Sequence, residues 1–168
     1  MIDYLLVTLS SSIPSGVLVF GWLLFLRASR TSGWRMALVS LPGTWLHEVA
    51  HWGVGLILAA KPVSFSLWPK KEGNSWVLGA VGFTGLNIWN SAPVALAPLL
   101  LFAFGGLAFV HLLQPLFEQE RYGLWLVLGY PVAACLFSGL PSSTDIRVGA
   151  LSICMYAATG YVLWLLAH

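Results

Sequence analysis

A chain of 168 residues that is 58% hydrophobic carries only eight basic and six acidic side chains, 8% of its length. Ordinary globular chains are about 25% charged, so a water-facing surface cannot be built from this composition, and both a soluble domain and a disordered chain are excluded. The net charge of +2 comes from dispersed Lys and Arg, which form no basic stripe for nucleic acid and no acidic tail for a cationic partner.

The apolar residues fall in blocks of about 20 or more, the length needed to cross about 30 Å of hydrocarbon. They predict an all-α polytopic membrane protein, one domain over residues 1–168, with the lipid bilayer as its surroundings. Five transmembrane helices are expected in chain order, at about 4–26, 36–60, 88–113, 123–140 and 146–167. The chain opens Met1-Ile2-Asp3-Tyr4, with an acid where a secretory signal would have basic residues, so the first block is expected to be a retained span. Between the second and third blocks, Val63-Ser64-Phe65-Ser66-Leu67 alternates apolar and polar residues. Pro69-Lys70-Lys71-Glu72-Gly73-Asn74 then supplies turn chemistry, and Trp76-Val77-Leu78-Gly79-Ala80-Val81 can return as a second strand. A β-hairpin inserted over about 62–82 is the expectation. The fourth block contains Pro131, expected as a kink because neighbouring groups in a membrane bundle can satisfy the freed carbonyl. Arg27, Arg30, Arg35 and Arg121 fall on one side of this five-span arrangement and Lys61, Lys70, Lys71 and Arg147 on the other, an even split that sets no orientation. Cys135 and Cys154 sit in apolar runs without metal-binding spacing and read as small hydrophobes.

Among the charged residues only Glu48 falls near the middle of an expected span. A carboxylate at that depth costs about 2.5 to 3.5 kcal/mol on insertion scales, so it needs a partner or a function. His47 and His51 flank it, giving His47-Glu48-Val49-Ala50-His51, the H-E-x-x-H pattern. Residues four apart stack one turn up the same helix face, so two imidazoles can bind one Zn²⁺. The glutamate lies about 100° round the helix from His47, where it can serve as general base toward water activated by the metal. With four His in 168 positions, this arrangement arises by chance in roughly 0.2% of such sequences. A histidine pair that merely satisfies a buried glutamate is the structural alternative. A zinc site also needs a third protein ligand, and the candidates are His111, His168, Asp3, Glu72, Glu118, Glu120 and Asp145. Asp145 stands out at the start of the last expected span, although an acid after Pro141-Ser142-Ser143-Thr144 also suits a helix cap. Asn87 and Asn90 are candidate substrate-binding residues, since amides can hydrogen-bond an extended backbone, and they can equally bond between helices.

Together these residues resemble the site-2 protease family of intramembrane zinc metalloproteases, as a divergent member. The resemblance rests on His47-Glu48-Val49-Ala50-His51 within a membrane helix, on the strand-like segment Val63-Ser64-Phe65-Ser66-Leu67-Trp68-Pro69 after it, and on Asn87, Asn90 and Pro93 at the start of the next span. It covers about residues 36 to 100, with Asp145 as counterpart of the family's later aspartate. That aspartate usually sits in a Leu-Asp-Gly motif, whereas Asp145 follows Thr144 and precedes Ile146-Arg147. The resemblance implies Zn²⁺ held by His47, His51 and Asp145, Glu48 as base, and cleavage of a membrane-spanning segment of another protein. An integral, multi-pass protein of the plasma membrane is the expectation. The alternative is a non-catalytic membrane protein, a metal-binding or scaffold protein derived from such a protease.

Overall fold

Helices α1 (Ile2–Ser29) and α2 (Gly33–Ile57) open the chain in a computed structural model that describes residues 2–29, 33–68, 70–72, 75–77 and 79–168. The helix α2 ends at Ile57, and Ala59 just beyond it adopts a left-handed conformation with φ of 53°. There Ala60 N–H donates to Gly55 O at 2.8 Å and Ala59 N–H to Leu56 O at 3.2 Å, which satisfies two carbonyls left open at the helix end.

The next segment turns back over α2. Strand β1 (Pro62–Ser66) pairs antiparallel with β4 (Ala80–Phe83), and β2 (Lys70–Glu72) pairs with β3 (Ser75–Val77). The expected returning strand is thus divided between two separate two-stranded ladders. The β1–β4 ladder ends at the Ser66–Ala80 pair, and the next carbonyl, that of Leu67, accepts the Trp45 indole N–H at 3.0 Å. Lys70, Lys71 and Glu72, read as turn residues, form a strand, while Pro69, Gly73, Asn74 and Leu78 lie outside the described residues.

The expected span at 88–113 is displaced and interrupted. A short helix, α3 (Ser91–Ala95), precedes a break at Leu96. A helical run then continues over Ala97–Glu118, comprising a 3₁₀ turn, α4 (Leu100–Ala108), a π-helical segment (Phe109–Leu113) and α5 (Gln114–Glu118). The irregularities cluster near prolines: Pro98 lies in the 3₁₀ turn, and the π segment precedes Pro115, which has no N–H to offer residue 111. Helix α6 (Tyr122–Ser138) continues through Pro131, and α7 (Ser143–Ala167) ends the chain.

Among the described residues, three stretches are long and apolar enough to cross a membrane: Ser10–Ser29, Ala97–Glu118 and Ser143–Ala167. The helix α6 is apolar but only 17 residues long. It packs against α1, α2 and α4, and a cluster of Val19, Leu26, Leu113, Val132 and Ala133 fills the space between them. Lipid tails are as apolar as leucine, so helices in a bilayer are held by close fit and by hydrogen bonds between them. Such bonds are present here. Trp125 Nε1–H donates to Ser15 Oγ at 3.1 Å, Gln114 Nε2–H to Ser12 Oγ at 2.6 Å, and Trp22 Nε1–H to Leu126 O at 3.1 Å. On the other side α7 rests on α3, where Gly149 meets Ala95 and Ser152 Oγ accepts the Ala92 N–H at 3.1 Å.

Candidate metal centre

The i, i+4 spacing on α2 stacks His47 and His51 with ring centroids 4.8 Å apart. Their Nδ1 atoms point away from each other, His47 to the Ser138 carbonyl at 2.8 Å and His51 to the Val94 carbonyl at 2.7 Å. A carbonyl only accepts, so Nδ1 carries a proton in each ring, which leaves Nε2 facing the partner ring and able, in the neutral form, to present a lone pair. The two Nε2 atoms are 3.1 Å apart.

Breaks in neighbouring helices supply both carbonyls. Ser138 is the last residue of α6, where the carbonyls of the final turn have no helical donor. Val94 lies four residues before Pro98, which has no N–H to give it. Close helix approach brings the Ser138 carbonyl within reach: Gly43, one turn before His47, is buried against Ala134 and Ser138, and a side chain there would collide with α6.

Asp145 completes the cluster from the first turn of α7. Its Oδ2 lies 3.3 Å from His47 Nε2 and its Oδ1 3.3 Å from His51 Nε2. The carboxylate also caps the helix, since Oδ2 accepts the Ser142 N–H at 2.6 Å while Asp145 N–H donates to Ser142 Oγ at 3.2 Å. The two readings of Asp145, ligand and cap, therefore describe one geometry. Among the described residues, His47, His51 and Asp145 are the group whose ligating atoms converge.

Two imidazole nitrogens and two carboxylate oxygens converge on one point, an arrangement that a ring proton shared with Asp145 or a bound metal can satisfy. The separations of 3.1 to 3.3 Å suit a metal. Ligands about 2.0 to 2.1 Å from a tetrahedral Zn²⁺ lie about 3.3 Å from one another, and a His₂-carboxylate donor set is one that zinc accepts with a fourth position open. The residues present thus fit zinc.

The cluster borders a cavity of about 880 Å³. Glu48, only 8% exposed, lines it beside the histidines, and so do Ala80 and Val81 of β4. Gly79, just before β4, lies directly on Glu48: a Cβ there would stand 2.7 Å from Glu48 Cγ and 3.1 Å from Oε1.

The two asparagines are placed differently. Asn87 Oδ1 accepts the Trp89 N–H at 2.8 Å and the Asn90 N–H at 3.1 Å. Asn90 Oδ1 accepts the Asn87 N–H at 2.8 Å, and its Nδ2 donates to Gly85 O at 3.0 Å and Leu58 O at 3.3 Å. Neither lines the cavity, and both amides are engaged in shaping the turn into α3. His111, His168, Glu118, Glu120 and Arg147 are exposed away from the cluster, and the side chains of Asp3 and Glu72 lie outside the described residues. Gly43, Gly79 and Pro98 escape a search for chemically active side chains because they act through backbone or through absence of bulk, and Ser142 escapes it because its bonds are made with Asp145 as a helix cap. Their positions, one turn from a ligand or four residues from a needed carbonyl, are the signal that could find them.

No protein-family model, curated protein or solved structure matches this chain.

Proposed function

We propose that this protein is an intramembrane zinc metalloprotease that cuts membrane-protein substrates in or near a transmembrane segment. The observation that carries the reading is the convergence of both Nε2 atoms and the Asp145 carboxylate at 3.1 to 3.3 Å, with Glu48 beside them on a shared cavity. In this reading α2 and α6 cross the bilayer with the three longer spans, giving a five-pass protein of the plasma membrane. The β1–β4 unit lies at the membrane surface or partly sunk into it.

His47, His51 and Asp145 would hold the metal, which supplies Lewis acidity that polarises a carbonyl and lowers the pKa of water toward about 7. Glu48 takes a proton from the water attacking the scissile carbonyl carbon. As the C–N bond breaks, the same carboxyl returns a proton to the departing amine, leaving one new carboxylate and one new amino terminus. A peptide bond inside a helix is shielded by its own hydrogen bonding, so the substrate must unwind locally. Among the described residues the β4 strand is paired only with β1, and its Ala80 and Val81 border the cavity, so its other edge can receive the unwound segment as an added strand.

The test is Glu48→Gln, purified in detergent and co-reconstituted with a panel of single-span membrane proteins. Zinc content equal to wild type with no new amino termini is the expected result. Turnover retained by Glu48→Gln refutes the mechanism. Zinc-loaded wild-type protein that cuts none of the panel favours the non-catalytic alternative.

A further inference from the structure

The geometry points to Ser142 as a positioning residue of the metal centre, one that fixes the Asp145 carboxylate against the two histidines. The inference rests on the metal-binding reading of His47, His51 and Asp145 and is independent of whether the protein cleaves peptides.

Had α6 continued, the Ser142 N–H would have donated to the Ser138 carbonyl four residues earlier, as in any α-helix. The helix stops at Ser138, Gly139, Leu140 and Pro141 intervene, and α7 begins at Ser143. Both halves of that missing bond are used at the metal centre. The Ser138 carbonyl accepts His47 Nδ1–H at 2.8 Å, and the Ser142 N–H donates to Asp145 Oδ2 at 2.6 Å. One interruption of backbone pairing therefore orients two of the three ligands.

The Ser142 hydroxyl closes the arrangement by accepting the Asp145 N–H at 3.2 Å. An aspartate side chain turns about two bonds, and here both its oxygens must meet specific nitrogens. The Ser142 N–H anchors Oδ2, and the hydroxyl, by holding the Asp145 backbone N–H, fixes the turn that keeps this N–H aimed at the carboxylate, with Oδ2 toward His47 and Oδ1 toward His51. Outer partners of this kind are commonly worth 10- to 100-fold in metal affinity. Ser142 is exposed, unlike the half-buried Asp145, so it contributes no packing that would otherwise account for it.

The experiment titrates the detergent-purified full chain with Zn²⁺ and records the visible spectrum of its Co²⁺ form, for wild type, Ser142→Gly and Ser142→Thr. Glycine is itself an acceptable helix N-cap, so a purely structural role predicts little change in the glycine variant. A positioning role predicts a 10- to 100-fold weaker Zn²⁺ affinity and an altered Co²⁺ spectrum for Ser142→Gly, with both restored in Ser142→Thr. If the glycine variant does not fold, Ser142→Thr against the isosteric Ser142→Val makes the same comparison. Equal affinity and identical spectra with and without the hydroxyl overturn the inference while leaving the metal centre intact. A wild-type chain that binds neither ion overturns the metal reading itself, and this inference with it.

Discussion

His47 and His51 face each other through their Nε2 atoms at 3.1 Å while each Nδ1–H is committed to a backbone carbonyl. With both rings neutral, two lone pairs at that separation repel, and the nearby Asp145 oxygens add negative charge rather than a donor. In the proposed reading a divalent cation offsets this repulsion, which would couple metal binding to folding. The protein is expected to bind one Zn²⁺ and to melt at higher temperature in its presence. The gain is about 2.7 kcal/mol when free metal is 100 times its dissociation constant. Scanning calorimetry with zinc and with a chelator checks this, and His51→Ala should lose most of the difference. Equal melting temperatures for wild type in the two conditions would count against a metal site.

The His51 ring is oriented by a carbonyl that Pro98 leaves accessible. Replacing Pro98 with alanine places an N–H four residues after Val94, where it can pair with the same carbonyl that accepts His51 Nδ1–H at 2.7 Å. Pro98→Ala should make the passage from α3 to α4 more regular and weaken Zn²⁺ binding by about 10-fold, the lower end of such outer-partner effects. Competition titration against a chromophoric chelator measures this. An unchanged affinity would mean that Val94 does not orient the ring.

Gly79 and Glu48 offer a test that separates base from ligands. A Cβ at position 79 would lie 2.7 Å from Glu48 Cγ, so Gly79→Ala must push the carboxylate aside while His47, His51 and Asp145 stay in place. A displacement of about 1 Å in a reacting group can cost about 100-fold in rate. The variant should keep its zinc and show kcat reduced by that order with KM little changed. A loss of zinc instead would show that the segment before β4 supports the ligands rather than the base.

The parts of this centre that were legible from sequence are local ones. Helical periodicity alone places His47, Glu48 and His51 within one turn, whatever the tertiary structure. Asp145 is remote, and only the packing of α7 on α3, through Gly149 and Ser152, brings it to α2; among the acids it could be favoured by position but not placed. The carbonyls of Ser138 and Val94 have no side-chain signature, and only the prolines at 98 and 141 hint that backbone pairing is interrupted there. The same holds for the fold. The apolar blocks locate the long helices, but the third was expected from residue 88, whereas the turn built by Asn87 and Asn90 delays helix formation to Ser91. The β segment follows the alternation of Val63 to Leu67, yet the Leu67 carbonyl just past the first ladder pairs with Trp45 of α2, a contact between elements that no local pattern encodes.

Asn90 links the end of α2 to the start of α3, and its amide makes every bond with the chain's own backbone. It is only 5% exposed, and removing the amide leaves Leu58 O, Gly85 O and the Asn87 N–H short of partners in a partly buried setting. Each such loss costs about 1 kcal/mol or more, and Asn90→Ala should destabilise the folded state by about 3 kcal/mol. Asn90→Asp should be at least as harmful: it keeps an acceptor for the Asn87 N–H but turns a second acceptor toward two carbonyls. Unfolding in mixed micelles, followed by tryptophan fluorescence, gives the stability change. Kinetics on the surviving folded fraction separates two roles. A residue that shapes the turn lowers stability and leaves KM unchanged in the folded enzyme, whereas one that contacts substrate raises KM without that loss of stability. The occupied amide, and its absence from the cavity lining, place the expectation on the first outcome.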